Sequence, residues 1–195
     1  MSGPRAPEAA AAPRDLVLGL DPGTRHFGWG VVERRGTRLL HHAHGVVHTD
    51  ETAAIALRLV TIERELIEVV RAHAPAVASV EAIFYAKDPQ AAAKLGHARG
   101  VALLVCARAG LEVFEYPPAR VKRTVTGGGR AEKSQVASMV RVLLGLKELP
   151  PADAADALAV AVTHLQSSPS LRAAMAGPSA PTRSVGIGRA RFHIR

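Results

Sequence analysis

Apolar and polar residues fall into blocks of two different periods along this chain. Leu16–Leu20 is an apolar run of strand length, suited to a strand covered on both faces. The turn Asp-Pro-Gly-Thr at 21–24 ends it. Gly28–Glu33 and Arg38–Thr49 read as two further strands of a meander, with Gly36 in the turn between them. Ala53–Ala72 carries Leu59, Ile62, Leu66, Val69 and Val70 at helical spacing, which predicts a helix. Ala76–Val80 is a fourth strand, ended by Glu81. Ala-rich Pro89–Ala109, with Gly96 and Gly100, predicts a second helix, and Leu111–Tyr116 a fifth strand. Three helical pieces follow, over Pro118–Val125, Glu132–Leu144 and Ala152–Leu165. Gly127, Gly128 and Gly129 separate the first two, and Pro150-Pro151 precedes the third. Meander strands followed by alternating helices and strands predict an α/β domain, with a mixed five-stranded sheet and helices on both faces.

The ends differ from this core. Residues 1–14 are rich in Ala and Pro, and residues 167–195 are Ser, Pro, Gly, Ala and Arg with little periodicity. Both are expected to be disordered, which leaves 15–166 as the folded unit. A chain of 195 residues suffices for one well-buried domain. Aromatic residues make up only 4%, so the core must be built mainly from Ala, Val and Leu. No apolar stretch approaches the roughly 20 residues that span a bilayer. The N-terminus, MSGPRAPEAAAAPRD, lacks the apolar region of a signal peptide. The single cysteine, Cys106, excludes an internal disulfide and lies in an apolar helical run that suits a buried, inert thiol. A cytoplasmic location, away from membranes, is the expectation.

The placement of charge says more than its total of +8. The tail 167–195 holds five Arg and no acid. Residues 117–147 hold seven Lys and Arg against one Glu, whereas 148–166 hold three acids and no base. A basic segment followed by an acidic one fits a surface that holds a polyanion beside one that holds cations. On charge alone, an unevenly charged solvated surface is an equal alternative.

Four acids fall at the ends of the expected elements: Asp21 after the first strand, Glu81 after the fourth, and Asp153 and Asp156 in the first turn of the last helix. Singly, each has an ordinary explanation. Asp-Pro-Gly is a good β-turn, a Glu after a strand can be a surface residue, and Asp is favoured at a helix N-terminus. Together they point elsewhere. Neighbouring strands can bring Asp21 and Glu81 to one sheet edge, and Asp153 and Asp156, three apart, share a helix face. Four packed carboxylates repel and raise one another's pKa unless cations sit between them. Hard cations such as Mg²⁺ or Mn²⁺ fit that donor set, and two of them roughly 4 Å apart can drive phosphodiester hydrolysis.

The segments LGLDPGTRHFGWGVV, VEAIFYAKDP, YPPARVKRTVTGGGRAEKSQVASMVRVLL and PPADAADALAVAVTHL resemble the RuvC family, in that order, across almost all of Leu16–Gln166. That resemblance implies an RNase H-like fold, a homodimer, and a Mg²⁺-dependent crossover junction endodeoxyribonuclease that resolves four-way (Holliday) DNA junctions by paired symmetric nicks in recombination and repair. It implies that Asp21, Glu81, Asp153 and Asp156 are the catalytic, metal-binding acids, with Asp21 shared by both ions. It also implies 5′-phosphate and 3′-hydroxyl products, and the branch-migration proteins RuvA and RuvB as partners. Lys122 and Lys133 match family lysines near the scissile strand, Lys133 as a stabiliser of charge on the reacting phosphate and Lys122 as a strand-positioning group. Contact of Lys with phosphate is independent of sequence, which agrees with the one-sided charge of this segment. Phe84 matches an aromatic at the opened junction centre. Core packing is the ordinary fate of Phe, but the resemblance favours stacking on a base.

Other features leave alternatives open. The small residues of Pro89–Ala109, among them Ala91, Ala92, Ala93, Gly96 and Gly100, permit close helix approach, either to the chain's own sheet or to a two-fold mate; the resemblance favours the mate. The triple glycine at 127–129 suits close approach to DNA or a plain flexible linker. His41, His42, His44 and His48 cluster without a Cys or a nearby carboxylate, which favours an exposed strand face over a metal site. The rival readings are an actin-like ATPase, suggested by Asp-Pro-Gly-Thr, an RNase H-like nuclease for another structured nucleic acid, and a non-catalytic junction-binding protein.

Overall fold

The computed structural model describes residues 15–82 and 89–176, with the side chains of 89–91 not described. The elements run β1 (Asp15–Asp21), β2 (His26–Arg35), β3 (Arg38–His48), α1 (Ile55–His73), β4 (Val77–Glu81), α2 (Pro89–Arg108), β5 (Glu112–Tyr116), α3 (Pro118–Thr126), α4 (Lys133–Leu144), α5 (Ala152–Gln166) and α6 (Pro169–Met175). The sheet order is β3-β2-β1-β4-β5. β1, β2 and β3 form an antiparallel meander, and β4 and β5 add parallel strands on the other side of β1. This is the mixed five-stranded α/β sheet expected of an RNase H-like domain.

Alternation along the central strands divides the core. Leu16, Leu18, Leu20, Phe27 and Val31 face α1 and α2, where they meet Ile62, Leu66, Ala98 and Ala102. Val17 and Val32 face the other way, onto Val121, Val140 and Leu158 of α3, α4 and α5. Helix α5 is the most enclosed element: from Ala154 to Leu165 every residue but Asp156 is buried. Its alanines let it lie directly on the sheet, and the strands beneath it are cut away to match. A Cβ added at Gly19 would come within 2.0 Å of the Ala157 carbonyl oxygen, and one at Gly28 within 2.0 Å of the Asp153 carbonyl oxygen. These two glycines, with Gly30, form a floor on which helix backbone touches strand backbone.

Two findings differ from the sequence reading. The chain does not lose order at 166. Ser168 caps α6 by accepting from Leu171 N–H, Arg172 donates to the carbonyls of His164 and Leu165, and Ala176 bridges Phe114 of β5. A cap, the Arg172 bonds and the packing of Met175 and Ala176 on the core hold this segment, which is too short for periodicity to announce it. Second, the β2–β3 pairing slips between Val31 and Val32, opposite Ala43 and His41, which makes His42 a bulge. The bulge brings a carboxylate to the histidine cluster: His42 Nε2 lies 2.7 Å from Glu33 Oε2, while His41 and His44 share a hydrogen bond of 2.8 Å.

Candidate nuclease centre

The last residue of β1 and the last residue of β4 meet at one corner of the sheet. The two strands are parallel neighbours, with Leu20 paired to Val80, so Asp21 and Glu81 follow side by side. Both fall on the α5 side by alternation, since Leu20 and Val80 point to the opposite face. The glycine floor then decides where α5 begins. Gly28, the partner of Asp21 across β1 and β2, lies under the Asp153 carbonyl and sets the first helical turn over the strand ends. That turn carries Asp153, and Asp156 follows just beyond it, three residues on and on the same helix face. All four carboxylates are half-buried.

Their fields overlap. Burial, followed by the charges of Asp156 and Asp153, raises the Asp21 carboxyl to about 7; Glu81 adds to the rise and Lys133 opposes it. Burial and Asp156 also push Glu81 upward, with Lys133 and Lys122 pulling it down. Lys133, the first residue of α4, donates from Nζ to Asp156 Oδ2 at 2.8 Å, and this bond, with the carboxylates around it, holds its ammonium above the ordinary lysine value. Lys122 lies on α3, near enough to Glu81 for its charge to act there. Phe84 and Tyr85 lie outside the described residues. Gly127 ends α3 with a positive φ of 79°, and the space beside Gly128 is open.

Among the described residues no three His, Cys, Asp or Glu side chains already close around a metal position. The donor set nevertheless suits a hard cation, being all carboxylate oxygen, and burial, followed by the negative charge of its neighbours, keeps the Asp21 pKa elevated. Lys133 supplies a single positive charge at Asp156, too little to balance four acids. A site of this kind can hold divalent cations and set them against a phosphodiester backed by the basic segments α3 and α4.

Sequence reading missed several parts of the centre. The glycine floor was visible as alternating Gly19, Gly28 and Gly30, but its meaning depends on the pairing of β1 with β2. Arg58 of α1 donates to the Thr24 carbonyl and to Thr49 Oγ1, which pins the turn that follows Asp21. Arg99 of α2 donates to the Glu81 carbonyl. Neither arginine has a sequence signature, because both bind backbone or residues distant in the chain.

Comparison with known proteins agrees with this geometry. The family model described as crossover junction endodeoxyribonuclease RuvC matches residues 17–164. A RuvC of Sorangium cellulosum is 56% identical over 165 residues, covering 85% of this chain and 92% of that protein. A RuvC of Beijerinckia indica is 50% identical, covering 79% and 88%. Among solved structures, T. thermophilus RuvC in complex with a Holliday junction substrate superposes with a TM-score of 0.75 at 37% identity, covering 83% of this chain and 97% of that one. The yeast mitochondrial resolvase Ydc2, with a TM-score of 0.57 at 14% identity, shares the fold. With a family model spanning most of its length and relatives that are half identical, this chain belongs to the RuvC family of crossover junction endodeoxyribonucleases.

Proposed function

We propose that this chain binds four-way DNA junctions and resolves them by paired symmetric nicks, with Asp21, Glu81, Asp153 and Asp156 holding two Mg²⁺ ions, for which Mn²⁺ can substitute. The observation that carries the reading is the convergence of four carboxylates from three elements, with Asp21 raised to about 7 by burial and by its neighbours. Bound Mg²⁺ supplies activation of water and neutralisation of charge on the leaving oxygen. The chain's own residues do the rest. Asp21, between the strand end and the first turns of α5, would hold the cations as the carboxylate. Lys133, seated at Asp156, is placed to turn its ammonium toward the scissile phosphate as charge builds there. Lys122 holds the strand beside Glu81, and the bases of α3 and α4 take up neighbouring phosphates without reading sequence. Cleavage breaks the P–O3′ bond, leaving a 5′-phosphate and a 3′-hydroxyl. Phe84 stacks at the opened junction centre.

Symmetric nicking requires two centres, and we assign dimerisation to the α1–α2 face. Leu57 and Val60 of α1 are 62% and 60% exposed and Leu104 of α2 is 46% exposed, beside the open small positions Gly96 and Gly100. Apolar exposure of that kind on a folded domain is a mark of an interface. RuvA and RuvB are the proposed partners and the cytoplasm the proposed location; among the described residues no helix is long and apolar enough to cross a membrane.

One assay tests the reading. A synthetic mobile four-way junction, a linear duplex and an RNA–DNA hybrid are incubated with the protein with and without Mg²⁺, and product ends are mapped. Paired junction nicks that need Mg²⁺ and vanish in Asp21→Asn support it. Cutting of the hybrid alone, or junction binding with no cutting, overturns it.

A further inference from the structure

Arg99 of α2 is a charged side chain buried to 7% exposure beneath the site. Its guanidinium makes two directed contacts. Nη1 donates to the Glu81 backbone carbonyl at 2.8 Å, and Nη2 pairs with Glu115 Oε2 at 2.7 Å. One planar fork thus joins α2, the end of β4 and β5. The Glu81 carbonyl lies past the last pair of the β1–β4 ladder, Leu20 with Val80, and the residue that follows Asp21 is Pro22, which has no N–H to offer. On the other side the ladder stays closed, with Glu81 paired to Tyr116 and Ala82 N–H donating to the Tyr116 carbonyl at 2.8 Å. Arg99 therefore supplies a donor where the strand runs out of partners. Glu115 supplies the counter-charge that a buried guanidinium requires.

We propose that Arg99 is a positioning residue of the nuclease centre: it fixes the Glu81 backbone, and with it the setting of the Glu81 carboxylate, and ties both to the position of α2. The proposal rests on the nuclease reading and deepens it. The two acceptors are met by two different nitrogens of one planar group, a spread that the single nitrogen of a lysine does not reproduce, so the fork of Arg is the feature that matters. Because α2 also carries Gly96, Gly100 and Leu104 on its outward face, a shift of this helix in the dimer reaches Glu81 through one hydrogen bond, from Arg99 Nη1 to the Glu81 carbonyl.

The test uses the full-length protein as Arg99→Met, Arg99→Lys, Glu81→Gln and the two double variants. Mn²⁺ binding to the DNA-free protein is followed by electron paramagnetic resonance, and single-turnover junction cleavage, junction affinity in Ca²⁺ and melting temperature are measured in parallel. Arg99→Met is expected to weaken Mn²⁺ binding and to slow cleavage by about tenfold each, the usual cost of losing support behind a metal ligand, with junction affinity unchanged. Arg99→Lys is expected to lose less of both. In the Glu81→Gln background, Arg99→Met is expected to change Mn²⁺ binding by less than about twofold, because its effect passes through Glu81. Wild-type Mn²⁺ binding in Arg99→Met, or a full further loss on top of Glu81→Gln, overturns the proposal. If Arg99→Met does not fold, Arg99→Lys and its double variant decide by the same two criteria. A wild-type protein that never cuts junctions would sink the nuclease reading, while the Mn²⁺ titrations still judge Arg99.

Discussion

Replacing Gly28 by Ala should disable the nuclease without touching any carboxylate. The new Cβ would lie 2.0 Å from the Asp153 carbonyl oxygen, 2.4 Å from its carbon and 3.1 Å from Ala154 N. Real Cβ contacts essentially never fall below 3.0 Å, so backbone must move by at least about 1 Å. β2 is held between β1 and β3, so the first turn of α5 is the part that yields, and Asp153 and Asp156 yield with it. A misplacement of about 1 Å in a catalytic constellation costs on the order of 100-fold in rate, or about 2.7 kcal/mol of barrier. Overpacking adds about 1–3 kcal/mol of lost stability. Lys122 lies on α3 and outside the displaced turn, so junction affinity should stay within about threefold. Gly30→Ala is the control. Its Cβ would meet Leu158 Cδ2 at 2.6 Å and Cγ at 2.7 Å, a core side chain rather than the backbone of the acidic turn, so that variant should lose stability but keep more of its activity than Gly28→Ala. Single-turnover cleavage at saturating Mg²⁺, junction binding in Ca²⁺ and melting temperature separate these effects. A folded Gly28→Ala protein that cleaves within threefold of wild type would refute the claim that strand glycines seat the acidic turn.

Three further outcomes follow from the same coordinates. Asp21→Asn should abolish cleavage and leave junction binding intact, yet stabilise the metal-free protein. The folded carboxyl is raised from 3.8 to about 7, so the native state loses stability as pH rises through that window; urea unfolding at pH 8 should show a gain of about 1–3 kcal/mol, and no gain contradicts the crowding of charge. His164, buried with Nδ1 2.9 Å from the Tyr116 hydroxyl, is lowered from 6.5 to about 4 by burial and then by Arg172. The unfolded chain takes that proton first, so stability is complete above 6.5 and is lost as pH falls toward 4, by on the order of 3 kcal/mol. His164→Gln should flatten this dependence, and an unaltered pH profile in that variant counts against the assignment. Ala74 closes α1 at φ 45°, a left-handed position that favours glycine. Ala74→Gly should therefore raise stability by about 1 kcal/mol with unchanged cleavage, and a lower melting temperature would disprove it.

What could be read from the sequence follows the range of each interaction. Strands and helices announced themselves through local period, as in Leu16–Leu20 and in Ile62 and Leu66 of α1. The four acids were legible because Asp21 and Glu81 end strands and Asp153 and Asp156 lie near the start of a helix, positions that local pattern marks. The glycine floor was not, because Gly19, Gly28 and Gly30 acquire a common purpose only when β1 and β2 are paired in register. The bulge at His42 defeated the strand alternation by a single residue, and with it the face assigned to the histidines. Arg99 lay hidden in an Ala-rich helix because one acceptor is a backbone carbonyl and the other is on β5. α6 is a seven-residue helix held by Arg172, a cap and the packing of Met175 at its end, too short to show a period.

Helix α5, the most enclosed element, is also made late: among the described residues only the short α6 follows it. Asp156 leaves the ribosome 135 residues after Asp21, roughly 7–27 s later at ordinary synthesis rates. During that interval the meander can pair while the corner of the sheet lacks two of its four carboxylates. A chain that ends before α5 would carry the basic residues of α3 and α4 without the two aspartates of α5.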